Sequence, residues 1–104
     1  MAFVKVGSLA SLPPGSVMEV AIGEDSYAVC NVDGKLHALW GICPHAGGPI
    51  GQGNLIDGRV VCPWHEWEYD CTTGENDMEP EARLQTYAVK VEGDAILIDP
   101  QAGA

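Results

Sequence analysis

The stretch that decides the fold reads Gly41-Ile42-Cys43-Pro44-His45-Ala46-Gly47-Gly48 and, further on, Cys62-Pro63-Trp64-His65. One residue separates Cys43 from His45, sixteen residues follow, and two separate Cys62 from His65. Thiolate and imidazole both ligate iron and zinc well, so the residue types mark a metal site without choosing the metal. Between the two pairs, Leu55-Ile56 and Val60-Val61 flank Asp57-Gly58. Asp-Gly tolerates the positive φ angles of a tight turn, so this connection reads as a β-hairpin. Two loops, about 41–53 and 61–74, are thereby held side by side at one end of a β domain.

Outward from this centre the pattern stays β. Tyr27–Val32 and Leu36–Trp40 flank a second turn signal, Asp33-Gly34. Tyr87–Val91 and Ala95–Ile98 flank a third, Glu92-Gly93-Asp94. Phe3–Val6 and Val17–Ile22 read as further strands, and Leu9 to Gly15 as a turn with one helical loop ended by Pro13 and Pro14. No window keeps helical periodicity over three turns. Thirteen glycines and seven prolines suit short elements joined by many turns. The expected fold class is all-β, in short antiparallel strands, within one domain spanning 1–104.

The formal charge is −10, which opposes any electrostatic attraction to nucleic acid. No apolar run is long enough to span a bilayer, and Met1-Ala2-Phe3-Val4-Lys5-Val6 lacks the pattern of a signal peptide, so the expected location is cytoplasmic. A reducing compartment argues against pairing the four cysteines as disulfides. Cys30 and Cys71 have no histidine at ligand spacing and read as free thiols, and His37 lies away from both loops. Seven of the fifteen carboxylates (Glu66, Glu68, Asp70, Glu75, Asp77, Glu79 and Glu81) lie beside or after the second loop. They form either a solvated loop or a docking rim. Gly51-Gln52-Gly53 lacks the strand and helix of a nucleotide loop, and its glycines are expected to bring backbone N–H groups toward the metal site.

With these residues in view, the sequence resembles the Rieske proteins. Gly47, Pro49, Gly53, Pro63, Tyr69-Asp70, Thr73-Gly74, Leu84, Tyr87 and Val89 extend the likeness over about Tyr27 to Ile98. The resemblance implies an antiparallel β-sandwich with a small cluster-binding subdomain of two loops joined by a hairpin. It implies one [2Fe–2S] cluster per chain, held by Cys43, His45, Cys62 and His65. Two ferric ions and two sulfides sum to +2, so two thiolates and two neutral imidazoles leave the oxidised cluster neutral. Four thiolates would leave −2, so replacing two of them by imidazole raises the potential, into a range of roughly −150 to +300 mV.

High-potential members carry an extra cysteine on each loop, joined as a disulfide, and a serine two residues after the second ligand histidine. The matching positions here are Gly48, Trp64 and Trp67, while a tyrosine four residues after that histidine is kept as Tyr69. The expected potential therefore lies near the low end, with the ferredoxins of bacterial oxygenases. The resemblance implies an electron carrier, not an enzyme, with a ferredoxin reductase and a terminal ring-hydroxylating oxygenase as partners and no small-molecule substrate of its own. The alternative is a small Rieske-fold subunit of an assimilatory nitrite reductase. A structural zinc site is the alternative for the four ligands, although one residue between Cys43 and His45 is unusual for it.

Overall fold

Four Gly-containing turns, two of them Asp-Gly, join the hairpin strands. In the computed structural model, which describes residues 3–43, 47–64, 67–76 and 82–101, Asp33 and Gly34 have φ of 53° and 94°, and Asp57 and Gly58 have 50° and 77°. Both turns therefore have the two positive φ angles of the tight hairpin type whose twist matches that of its strands. Asn31, buried before the first turn, accepts a hydrogen bond from the Gly34 amide at 2.8 Å and donates to the Leu12 carbonyl at 2.8 Å.

The strands are β1 (Val4–Ser8), β2 (Val17–Ile22), β3 (Asp25–Val32), β4 (Lys35–Trp40), β5 (Asn54–Ile56), β6 (Arg59–Val61), β7 (Glu68–Asp70), β8 (Thr86–Glu92) and β9 (Ala95–Asp99). A six-stranded sheet has the order β1-β9-β8-β4-β3-β2, a three-stranded sheet has β5-β6-β7, and every strand pairing is antiparallel. Short 3₁₀ turns occupy Leu9–Ser11 and Ile50–Gln52. The all-β expectation and its three hairpins stand. The first strand runs from Val4 to Ser8 rather than over Phe3–Val6, and β7 is a strand the sequence pattern did not announce.

β3 is buried on both faces, and its alternation sorts two cores. Tyr27 and Val29 join Leu12, Val20, Ala38, Ile96 and Ile98 inside the large sheet. Ala28 and Cys30 face the other way, toward Leu39, Cys43, Ile50, Val60, Cys62, Tyr69, Cys71 and Leu84. The small sheet and its loops thus close over the outer face of β3 and β4. The chain leaves the large sheet after Trp40 and re-enters beside it, where the Trp40 amide donates to the Gln85 carbonyl at 2.8 Å.

Candidate metal centre

Each cysteine begins a loop closed by backbone hydrogen bonds. The Cys43 amide donates to the Gly48 carbonyl at 2.9 Å and the Gly47 amide to the Cys43 carbonyl at 2.8 Å. The Cys62 amide donates to the Trp67 carbonyl at 2.8 Å. These bonds bracket His45 in the first loop and His65 in the second, although both histidines lie outside the described residues. Cys43 and Cys62 are described and buried.

The loops touch where Gly48 meets the second cysteine. A methyl group at Gly48 would stand 2.9 Å from Sγ of Cys62 and 3.0 Å from Cγ of Trp64. Positions 48 and 64, which carry the disulfide in high-potential Rieske proteins, are therefore in contact here, filled by a Trp side chain against bare backbone. The aromatic residues of the second loop divide their work. Tyr69 is wholly buried, Trp67 packs half-buried against the shared core, and Trp64 is 57 % exposed.

Tyr69 shares a buried core with both thiols. Its Oη lies 3.2 Å from Sγ of Cys43. Burial, followed by the hydrogen bond and charge of Cys43 and with a smaller contribution from Cys62, pushes the phenol well above its ordinary range. The proton therefore stays on Tyr69 at neutral pH, and toward a metal-bound thiolate the hydroxyl is the donor.

Two sequence expectations change and a third stands. Gly51 and Gly53 do not serve the metal site: a methyl group would stand 2.5 Å from Cα of Glu19 at Gly51 and 1.9 Å from the Val61 carbonyl oxygen at Gly53. Their bareness seats the loop against β2 and β6. Asp70 is not a free rim carboxylate, because its Oδ1 accepts from the Thr72 and Thr73 amides at 2.7 and 3.2 Å. Cys30 and Cys71 are buried free thiols that meet each other. The hydrogen bond from Cys71, and then burial, push the Cys30 thiol far up, so it remains protonated. Glu68 and Glu75 are exposed, whereas Glu66, Asp77, Glu79 and Glu81 lie outside the described residues.

Among the described residues no three His, Cys, Asp or Glu side chains gather around one point, since both loop histidines fall outside them. The part that is described fits a two-thiolate, two-imidazole iron–sulfur cluster. Both cysteine sulfurs are buried, one of them, that of Cys43, lies within hydrogen-bond reach of a buried hydroxyl, and the loop backbone beside Cys62 has no side chain to block approach.

The family model of the Rieske [2Fe-2S] domain matches residues 2–88. The chain is 35% identical over 104 residues to the ferredoxin component of a biphenyl 2,3-dioxygenase from Rhodococcus jostii (strain RHA1), covering 99% of this chain and 97% of that one. It is 32% identical to the ferredoxin component of an alkene monooxygenase system from Xanthobacter autotrophicus (strain ATCC BAA-1158 / Py2), covering 92% of this chain and 80% of the relative. The solved ferredoxin of carbazole 1,9a-dioxygenase from Nocardioides aromaticivorans IC177 superposes with a TM-score of 0.86 at 25% identity, covering 97% of this chain and 100% of that one. With two buried cysteines opening paired loops around a tyrosine donor, and a family match over most of its length, the chain belongs to the Rieske [2Fe–2S] domain family.

Proposed function

We propose that this protein is a one-electron carrier that takes electrons from a ferredoxin reductase and delivers them to a terminal oxygenase of the ring-hydroxylating type. Cys43 and Cys62 ligate one iron and His45 and His65 the other, in one Rieske domain spanning 1–104 that works in the cytoplasm. The observation that carries this reading is the buried Tyr69 hydroxyl, 3.2 Å from Sγ of Cys43. The names of the similar ferredoxin components support the choice of partners. Among the described residues no helix is long and apolar enough to cross a membrane.

When bound, the cluster accepts and releases a single electron without a chemical step on any substrate. The chain's own residues set the conditions for that exchange. Tyr69 offers a hydrogen bond to the Cys43 sulfur, which stabilises added negative charge. Trp64, exposed and next in sequence to His65, gives a partner an aromatic surface on the second loop. The acidic segment from Glu66 to Glu81 raises the encounter rate with a basic partner surface, an effect screened over about 10 Å at 0.1 M salt.

The ligand assignment is tested by electron paramagnetic resonance of the reduced protein. His45→Cys and His65→Cys are expected to alter or abolish the Rieske signal, while His37→Ala keeps it; an unchanged signal in His65→Ala would sink the assignment. The carrier role is tested by stopped-flow reduction of an oxygenase across a salt series. Neutralising Glu66, Glu68, Glu79 and Glu81 together is expected to slow association and flatten its salt dependence, with the potential nearly unmoved. Unchanged rates would return the acidic run to a solvated loop.

A further inference from the structure

Gly48 is buried although Gly47 before it is exposed, and what covers it comes from the other ligand loop. Its carbonyl accepts from the Cys43 amide at 2.9 Å, which fixes the first loop there. A methyl group at Gly48 would stand 2.9 Å from Sγ of Cys62, and 3.0 and 3.2 Å from Cγ and Cβ of Trp64. The sulfur and the root of the indole thus meet the first loop at one point. Past Cys62 the chain heads into solvent, since Pro63 and Trp64 are both exposed, yet Cys62 itself is 0 % exposed. Trp64 therefore turns back over the junction of the loops, with the base of its ring on Gly48 and the rest toward water. A ring 57 % exposed gains little of the apolar burial that accounts for a core tryptophan. Trp67, packed against the shared core, fills that role.

The apolar shell around a metal site controls solvent access and local dielectric, and with them the potential. Water that reaches a ligand sulfur donates to it and stabilises the reduced, more negative state. We propose that Trp64 is a positioning residue for the cluster: clasped on Gly48, its indole seals the junction of the two ligand loops and keeps water and small solutes off the Cys62 sulfur. Trp64 acts through that sulfur, by excluding water and not by ligation. Gly48 is the other half of the seal, since any side chain there would lift the indole or move the sulfur. The proposal rests on Cys62 being a cluster ligand, as given under the proposed function.

The test compares the wild type, Trp64→Phe, Trp64→Leu and Trp64→Ala as loaded proteins in deuterated water. Pulsed electron paramagnetic resonance of the reduced cluster counts exchangeable deuterons near it, and the potential and the rate of bleaching under EDTA are measured beside it. Trp64→Ala is expected to show added deuteron coupling and to bleach about tenfold faster. It is expected to raise the reduced-to-oxidised ratio at fixed poise about threefold, which is about 28 mV for one electron. Trp64→Phe, which keeps Cβ, Cγ and a ring on Gly48, is expected to stay close to the wild type in all of these. Trp64→Leu is expected to fall between, and it carries the comparison if Trp64→Ala holds no cluster. Unchanged deuteron coupling and potential overturn the proposal, as does a Trp64→Phe protein as open to water as Trp64→Ala. Faster bleaching with no added deuterons would mark Trp64 as merely structural and overturn the proposal too. Cys62→Ser serves as the separate control, since an unaltered Rieske signal there would remove the ligand assignment itself rather than the role of Trp64 alone.

Discussion

The large sheet and the small one are built on different terms. In the large sheet, strands of five to eight residues pair in long ladders, and one core lies wholly within it. In the small sheet, three strands of three residues each share a core with the outer face of β3 and β4. A sheet of such short strands has little stability of its own. The difference teaches that the large sheet is the scaffold, while the ligand loops depend on that scaffold and on the group they hold.

The largest effect that can break this comparison is loss of the cluster. Cys62→Ser is expected to abolish visible absorption. Amides of β5, β6 and β7 should then lose hydrogen-exchange protection while those of β3 and β4 keep it. Equal loss in β3 would mean that the two regions unfold as one unit.

A smaller effect separates the two cores. Ile96→Ala, deep inside the large sheet, is expected to cost about 2–5 kcal/mol of global stability in denaturant unfolding. Gly53→Ala, which meets the Val61 carbonyl, is expected to cost about 1–3 kcal/mol and to show first as looser cluster binding. If Gly53→Ala shifts global unfolding as far as Ile96→Ala does, the scaffold is not independent of the loops.

The smallest effect comes from His37, paired with Cys30 across β3 and β4. Burial, then the charge of Lys35, lowers its pKa below the ordinary 6.5, with Asp70 opposing. The unfolded chain therefore takes up a proton before the folded one does. Stability is full above about pH 6.5 and falls as the pH drops through the unfolded and then the folded pKa. His37→Asn is expected to flatten that slope in urea midpoints measured from pH 7.5 to 5.5. An unchanged slope would place the acid sensitivity elsewhere, in the loops rather than the scaffold.

The scaffold was largely legible in the sequence because its turns have few alternatives: Asp33-Gly34 and Asp57-Gly58 each demand positive φ, and alternating apolar runs flank them. The four ligands were legible as a spacing, and two of them, Cys43 and Cys62, are brought into one buried cluster with Tyr69. β7 was not legible, since Glu68-Tyr69-Asp70 offers one apolar residue between two carboxylates and becomes a strand only by pairing with β6. The burial of Asn76 was hidden for a similar reason. Nothing in a polar, turn-rich segment marks the one amide that the Gly74 turn will bury. The meeting of Cys30 with Cys71 depends on packing across the two sheets, which local pattern does not encode.

The pairing of β4 with β8 has a consequence for how such a protein can be built. Ala38 lies opposite Tyr87 and Leu39 opposite Thr86, and the Trp40 amide reaches the Gln85 carbonyl, so the chain departs and returns through one doorway. Everything from Gly41 to Leu84 is then a cassette seated between two adjacent strands of a host that is otherwise continuous. Insertions of this kind are tolerated where the ends lie close together. A short turn joining Trp40 to Gln85 would yield a cluster-free β host, and the excised cassette could be grafted onto another antiparallel pair that offers an apolar outer face like that of Ala28, Cys30 and Leu39.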